Sequence, residues 1–212
     1  MKPIFVSGIG TGIGKTVVAA ILTEAFEADY WKPIQAGFET GTDSNLIVSL
    51  VSNPKTVIHP ETYKFETAAS PHIAARNENQ RVDLERIVND HHKLDSERPL
   101  VIEGAGGLMV PLNEREFVID LVKKLDAVLI LVSRNYLGSI NHSLMTANTC
   151  RSYGIVPAGW VFNDNYLSYE KEIADWSGYP VLFSLPHMDS ISKLTISKAA
   201  RRFDLSYLYS LL

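Results

Sequence analysis

The sequence predicts an α/β fold: a single domain over residues 1–212, with a mostly parallel, doubly wound sheet flanked by helices. Three observations carry this expectation. Short apolar runs alternate with segments of helical spacing, as parallel βαβ units require. Residues 127–132 read AVLILV, the continuous apolar run of a strand covered on both faces. Finally, Gly8, Gly10, Gly12 and Gly14 crowd into the stretch that follows the apolar run Ile4-Phe5-Val6.

The elements follow in order. Residues 4–6 read as a strand ending in Ser7-Gly8. Over residues 15–27, Val18, Ile21, Leu22, Ala25 and Phe26 share one helical face. A second strand is expected over 30–34, closed by Gly37, and a helix over 45–51, stopped by Ser52-Asn53-Pro54. Residues 55–71 carry no regular pattern, whereas 82–94 are amphipathic. The rhythm then becomes regular: strand 100–102 ending in Glu103-Gly104, helix 117–125, strand 127–132 and helix 139–153, ended by Gly154. Strand 156–162, helix 169–176, strand 181–185 before Pro186 and a final helix over 195–209 complete it. In such sheets ligands bind at the C-terminal ends of the strands, where the chemical motifs fall.

Composition narrows the function. The 46% hydrophobic and 21% charged content is ordinary for a soluble globular protein. A net charge of −4 argues against a nucleic-acid partner, which needs a basic face. No window approaches the roughly 20 apolar residues of a membrane helix, and the N-terminus lacks a signal-peptide pattern. A cytoplasmic protein with no membrane partner is expected. Cys150 is the only cysteine, which excludes an intrachain disulfide and a multi-cysteine zinc site; its place in a helical pattern makes it a small core residue.

Residues 8–16, GIGTGIGKT, lie between strand and helix. This is the context of a phosphate-binding loop, and it makes the expected fold P-loop NTPase-like. Successive backbone N–H groups curl around phosphate oxygens, and the following helix turns its positive end to the anion. Lys15 would reach the outer phosphates and Thr16 would offer a hydroxyl to Mg²⁺. The spacing is a variant, because Ile9 stands where the common pattern has its first glycine. The dinucleotide fingerprint G-x-G-x-x-G fails, since Ile13 and Lys15 occupy the positions of its third glycine.

Further charges fall at strand ends. Lys32, if strands 1 and 2 are neighbours, lies near the loop and stabilises charge on a transferring phosphoryl group; alternatively it is an edge lysine reaching water. Glu103, at the tip of a core strand, is placed to hold Mg²⁺ directly or through water. Asp43 is either a helix N-cap or a second metal ligand, and the roles can coexist. His91-His92 read as a solvated helix face, His142 as a helix-start residue, His72 as a loop residue and Arg201-Arg202 as surface charge.

The ordered set of motifs resembles dethiobiotin synthetase. It comprises Gly8 to Thr16, Lys32-Pro33-Ile34-Gln35-Ala36-Gly37, Ser70-Pro71-His72, Glu103 to Leu112, Leu137-Gly138-Ser139-Ile140-Asn141-His142 and Ala158-Gly159-Trp160-Val161-Phe162-Asn163. The resemblance runs from residue 4 to about 187. It implies ATP- and Mg²⁺-dependent closure of a ureido ring from 7,8-diaminopelargonic acid and CO2, through an N-carbamate and a carbamic–phosphoric anhydride, with release of ADP and phosphate. It further implies that Lys32, Lys15 and Thr11 act at the reacting centre, and that Thr16, Asp43 and Glu103 hold Mg²⁺. Nucleotide contacts are implied for Gly12, Ile13, Gly14, Lys15, Thr16, Val17, Asp43, Glu103, Gly104, Ala105 and Gly106. Asn163 would read adenine, with Asp164, Leu185, Pro186 and His187 around the base. Thr11, Lys32, Ala36, Gly106 and Asn141 would meet the substrate, Asn141 across a homodimer interface that binds the substrate carboxylate.

Two positions depart from the family. Gly12 replaces an acidic residue near the phosphates, and Ala36 replaces a common hydroxyl residue. A lost hydrogen bond is worth about 0.5–1.5 kcal/mol, which weakens binding without abolishing chemistry. Two other functions compete. A corrinoid-type amide ligase usually carries a glutaminase domain with a catalytic cysteine. A partitioning-type ATPase switch typically has an additional lysine early in its loop, where this chain has Gly8-Ile9-Gly10.

Overall fold

The structure, a computed structural model, describes residues 1–39, 41–94, 97–164 and 166–212. Its elements are β1 (Ile4–Gly8), α1 (Lys15–Ala25), β2 (Asp29–Trp31), β3 (Ile34–Ala36), α2 (Asp43–Leu50), β4 (Ile58–His59) and β5 (Tyr63–Phe65). Then come α3 (Pro71–Asn77), α4 (Leu84–His92), β6 (Leu100–Glu103), α5 (Val118–Lys124), β7 (Val128–Arg134) and α6 (Ser139–Ser152). The chain closes with β8 (Gly159–Asn163), α7 (Glu170–Ser177), β9 (Val181–Leu185), α8 (Lys193–Ala200) and α9 (Ser206–Tyr209).

Among the described residues, seven strands form one sheet in the order β4-β2-β6-β1-β7-β8-β9, every pairing parallel. β1 and β7 are buried along nearly their whole length, which matches their uninterrupted apolar sequences. One core face packs Val6, Ile130 and Val132 against Val18 and Ile21 of α1. The opposite face gathers Phe5, Ile102, Leu129 and Leu131 with Trp160 and Phe162. Alternation along each strand thus feeds two cores, one on each side of the sheet. No described helix is long and apolar enough to cross a membrane.

Five expectations need correction. β1 and β2 are not neighbours, because β6 lies between them. The second strand is two strands, broken at Lys32-Pro33; Pro33 has no N–H to give, and its carbonyl accepts Tyr63 N at 2.9 Å to open a separate β3–β5 pair. The stretch 55–71 holds β4, β5 and the start of α3, elements too short to leave a periodic signal. The final helix is α8 and α9, interrupted where Phe203 stacks on Phe183 at 4.3 Å and Leu205 enters the core. β8 also begins later than expected, at Gly159, after Pro157.

Candidate active site

β1 ends at Gly8 and α1 begins at Lys15, so residues 9–14 form a loop at the C-terminal edge of the sheet. Gly14 precedes the helix with a left-handed φ of +93°, and a Cβ there would stand 2.0 Å from Asn163 Nδ2. Only glycine satisfies both conditions. Asn163, at the end of β8, donates Nδ2 to the Ile13 carbonyl at 3.0 Å, tying the loop to the sheet. The buried Lys15 donates Nζ to the Gly10 carbonyl at 2.6 Å, so its ammonium lies within the curl of the loop.

β6 places Glu103 between the two flanking units. Thr16 Oγ1 stands 2.9 Å from Glu103 Oε1 and 3.1 Å from Asp43 Oδ1, its one proton shared between the two carboxylates. Lys32 Nζ, reached from β2 on the other side, bonds Asp43 Oδ2 and, at 3.2 Å, Glu103 Oε1. The Tyr30 hydroxyl donates to Glu103 Oε2 at 2.8 Å, filling its second oxygen. Asp43 is the first residue of α2, not its cap: Thr42 is the N-cap and accepts Asn45 N at 3.1 Å. This releases the Asp43 carboxylate for Thr16 and Lys32, while Gln35 Oε1 accepts Asp43 N at 3.2 Å.

The electrostatics separate the two lysines. Burial lowers the Lys15 ammonium to about 8; Glu103 and Asp43 oppose this, and Lys32 reinforces it. Burial also pulls Lys32 down, but the charges and hydrogen bonds of Glu103 and Asp43 outweigh it and leave its pKa raised. Burial, then Glu103, hold the Tyr30 hydroxyl well above its ordinary value, so it stays a donor.

Lys15, Thr16, Lys32, Asp43 and Glu103 line a cleft of about 720 Å³. Of the predicted residues, Thr11, Gly12, Gly14, Lys15, Thr16, Val17, Lys32, Ala36, Asp43, Glu103, Ala105 and Gly106 meet there. Ile13 and Leu185 turn into the core, Gly104 is buried, and Asp164 pairs with Arg134 at 3.5 Å. Pro186 and His187 are exposed. Asn141 is exposed on α6, within 3.5 Å of Met145 Sδ, and is not part of this chain's own cleft lining. The sequence reading missed Tyr30 and Gln35. Tyr30 was recoverable, since it shares a strand face with Lys32 two residues on. The donor set suits a hard cation: one hydroxyl and two carboxylates converge, the kind of oxygen ligands Mg²⁺ takes beside phosphates. Among the described residues no cluster of three or more His, Cys, Asp or Glu forms an all-protein metal cage.

Three bland readings change or hold. His72 belongs to the first turn of α3 and is not a loop residue. His91 is half buried and stacks on Trp31 at 6.1 Å, so only His92 fits a solvated face. Cys150 is a core residue, its thiol pushed up to about 12 by burial.

A parallel sheet whose first strand runs through a glycine-rich loop into a helix opening Lys-Thr defines a P-loop NTPase-like protein. Solved structures agree in fold. A ParA family ATPase from Chlorobium tepidum superposes with a TM-score of 0.61 at 15% identity, covering 96% of this chain and 100% of that one. The MinD cell division protein of Aquifex aeolicus gives 0.55 at 14%, covering 95% and 96%. A family model described as an AAA domain matches residues 2–195. The ATP-dependent dethiobiotin synthetase BioD of Cytophaga hutchinsonii is 45% identical over 207 residues, spanning 96% of this chain and 98% of its own. That of Christiangramia forsetii is 41% identical over 203 residues, spanning 95% and 96%. The chain belongs to the ATP-dependent dethiobiotin synthetase family.

Proposed function

We propose that the protein converts 7,8-diaminopelargonic acid, CO2 and ATP into dethiobiotin, ADP and phosphate, and so acts in biotin biosynthesis. One substrate amine adds to CO2 and loses a proton, giving a carbamate. A carbamate oxygen attacks the γ-phosphorus and ADP leaves. The second amine then attacks the carbonyl carbon, loses its proton and expels phosphate. No protein nucleophile is needed.

The chain's task is to bring anions together. The loop N–H groups and Lys15 hold the outer phosphates. Lys32 faces carbamate and γ-phosphate and offsets the charge of the transition state. Mg²⁺, held by Thr16, Asp43 and Glu103, would add two positive charges beside the phosphates. Thr11 and Gly106 border the substrate side, and the cleft supplies proximity for the second amine. Asn163, Pro186 and His187 are assigned to the adenine base, with Leu185 behind them in the core.

The observation that carries this reading is the position of Lys32. Lys32 as a whole is only 5% exposed; its ammonium faces Asp43 and Glu103, and the residue lines the same cleft as Lys15 and the loop. The reading treats residues 1–212 as one working domain and includes a homodimer whose partner Asn141 meets the substrate carboxylate. Exposed Leu137 and Met145 on either side of Asn141 support such a contact, and sedimentation in solution tests it.

The activity test is direct. With diamine, bicarbonate, Mg²⁺ and ATP, mass detection should show dethiobiotin, and ATP turnover should depend on the diamine. Equal ATP turnover with and without diamine contradicts the proposal and favours a nucleotide switch.

A further inference from the structure

Ser70-Pro71-His72 is the one quoted motif that the chemistry above leaves without a role. Ser70 occupies the N-cap position of α3, where a serine side chain normally accepts a backbone N–H of the first turn. Among the described residues, no backbone N–H donates to it. The Ser70 carbonyl accepts Ile73 N at 2.9 Å and Ala74 N at 3.0 Å, so the helix start is held without the hydroxyl. Ser70 Oγ instead shares a hydrogen bond with His72 Nδ1 at 3.0 Å, with the Pro111 carbonyl at 3.5 Å.

Ser70 also lines the active-site cleft, beside Ala36, Ala68 and Ala69. The two segments touch: a Cβ on Gly37 would meet Ala68 Cβ at 2.8 Å. The residues beside Ser70 on this wall, Ala36, Ala68 and Ala69, carry no polar side chain, and Gln35 next to Ala36 already spends its amide on Asp43 N and the Gly37 carbonyl. Alanine side chains offer no hydrogen-bond acceptor, whereas a diamine brings several N–H groups that need one.

We propose that Ser70 contacts the substrate, its hydroxyl accepting a hydrogen bond from an amino group of the diamine, and that His72 is the positioning residue that orients it. The proposal rests on the diamine reading above. With its proton on Nε2, His72 takes the Ser70 O–H on Nδ1, and the lone pairs of Oγ are left for the substrate N–H. The hydroxyl that position 36 lacks is thereby supplied from the neighbouring segment.

Steady-state kinetics with the full chain test this. Ser70→Ala should raise KM for the diamine about five- to tenfold, with kcat and KM for ATP within about twofold. Ser70→Thr, which keeps the hydroxyl, should stay near wild type. His72→Ala should raise the same KM, and His72→Asn should recover part of it, because an amide oxygen reaches the place of Nδ1. The double variant Ser70→Ala with His72→Ala should be no worse than Ser70→Ala alone. An unchanged diamine KM in Ser70→Ala overturns the proposal. So does a parallel rise of both KM values with a lowered unfolding temperature, which marks a structural serine. Additive effects in the double variant remove His72 from its role. A wild-type protein that makes no dethiobiotin would instead defeat the diamine reading itself.

Discussion

β2 carries two buried ionic clusters within four residues of chain, and they behave differently. At its start, Asp29 is 1% exposed and accepts Arg98 Nε at 2.9 Å, Arg98 Nη2 at 2.6 Å and Val57 N at 2.8 Å. His59 Nε2 stands 3.7 Å from its other oxygen, and burial, opposed by Asp29, lowers the His59 pKa. This cluster joins strand to loop and lines none of the cleft beside the phosphate loop. Just past the other end, Lys32 meets two carboxylates and a second ammonium at the mouth of that cleft. Charge burial alone therefore does not mark function. What differs is convergence: like charges, Lys15 with Lys32 and Asp43 with Glu103, are gathered at one point, which costs folding free energy and fits an anionic ligand that binds together with a cation.

The comparison breaks first at Glu103. Glu103→Gln removes the charge shared by Thr16 and Lys32, and turnover should fall about 10²- to 10³-fold with the fold intact by circular dichroism. A loss under tenfold would make Glu103 as structural as Asp29. Arg98→Met is the converse. It leaves Asp29 short of its main partner and should lower stability by about 2–3 kcal/mol in urea, while turnover at 25 °C stays within about twofold. Loss of activity without loss of stability would erase the distinction.

Much of this was legible in the chain. β1, β7 and β9 could be read from apolar runs, and the loop from its glycines and Lys15-Thr16. The spatial pairing of Lys32 with Glu103 was not. It depends on β6 entering between β1 and β2, a crossover fixed by tertiary packing and by no local pattern. Asp43 was legible as a helix-start residue, but Thr42, one position earlier, wins the cap and changes what Asp43 can do. β4 and β5 span only two and three residues, too few for periodicity to register.

Two smaller effects sharpen the account. Gly14→Ala must keep φ near +93° and displace Asn163, so it should cost about 1–2 kcal/mol and weaken ATP binding together. If stability drops and ATP affinity holds, the Gly14–Asn163 contact does not shape the phosphate site. The Lys15 ammonium, lowered to about 8 by burial, must be protonated to hold phosphate. ATP affinity should therefore decline as pH rises through about 8, by up to tenfold per unit, as binding comes to require proton uptake. Lys15→Arg, always charged, should flatten that slope even though it binds more weakly. A slope that survives the change belongs to another group.

Lys32→Ala decides the central claim, with product mass and ATP calorimetry measured on the same preparation. The account predicts dethiobiotin formation at least about 100-fold below wild type, with ATP affinity changed by no more than a few-fold. Undiminished product formation would show that anionic reactants meet there without this ammonium, and would contradict it.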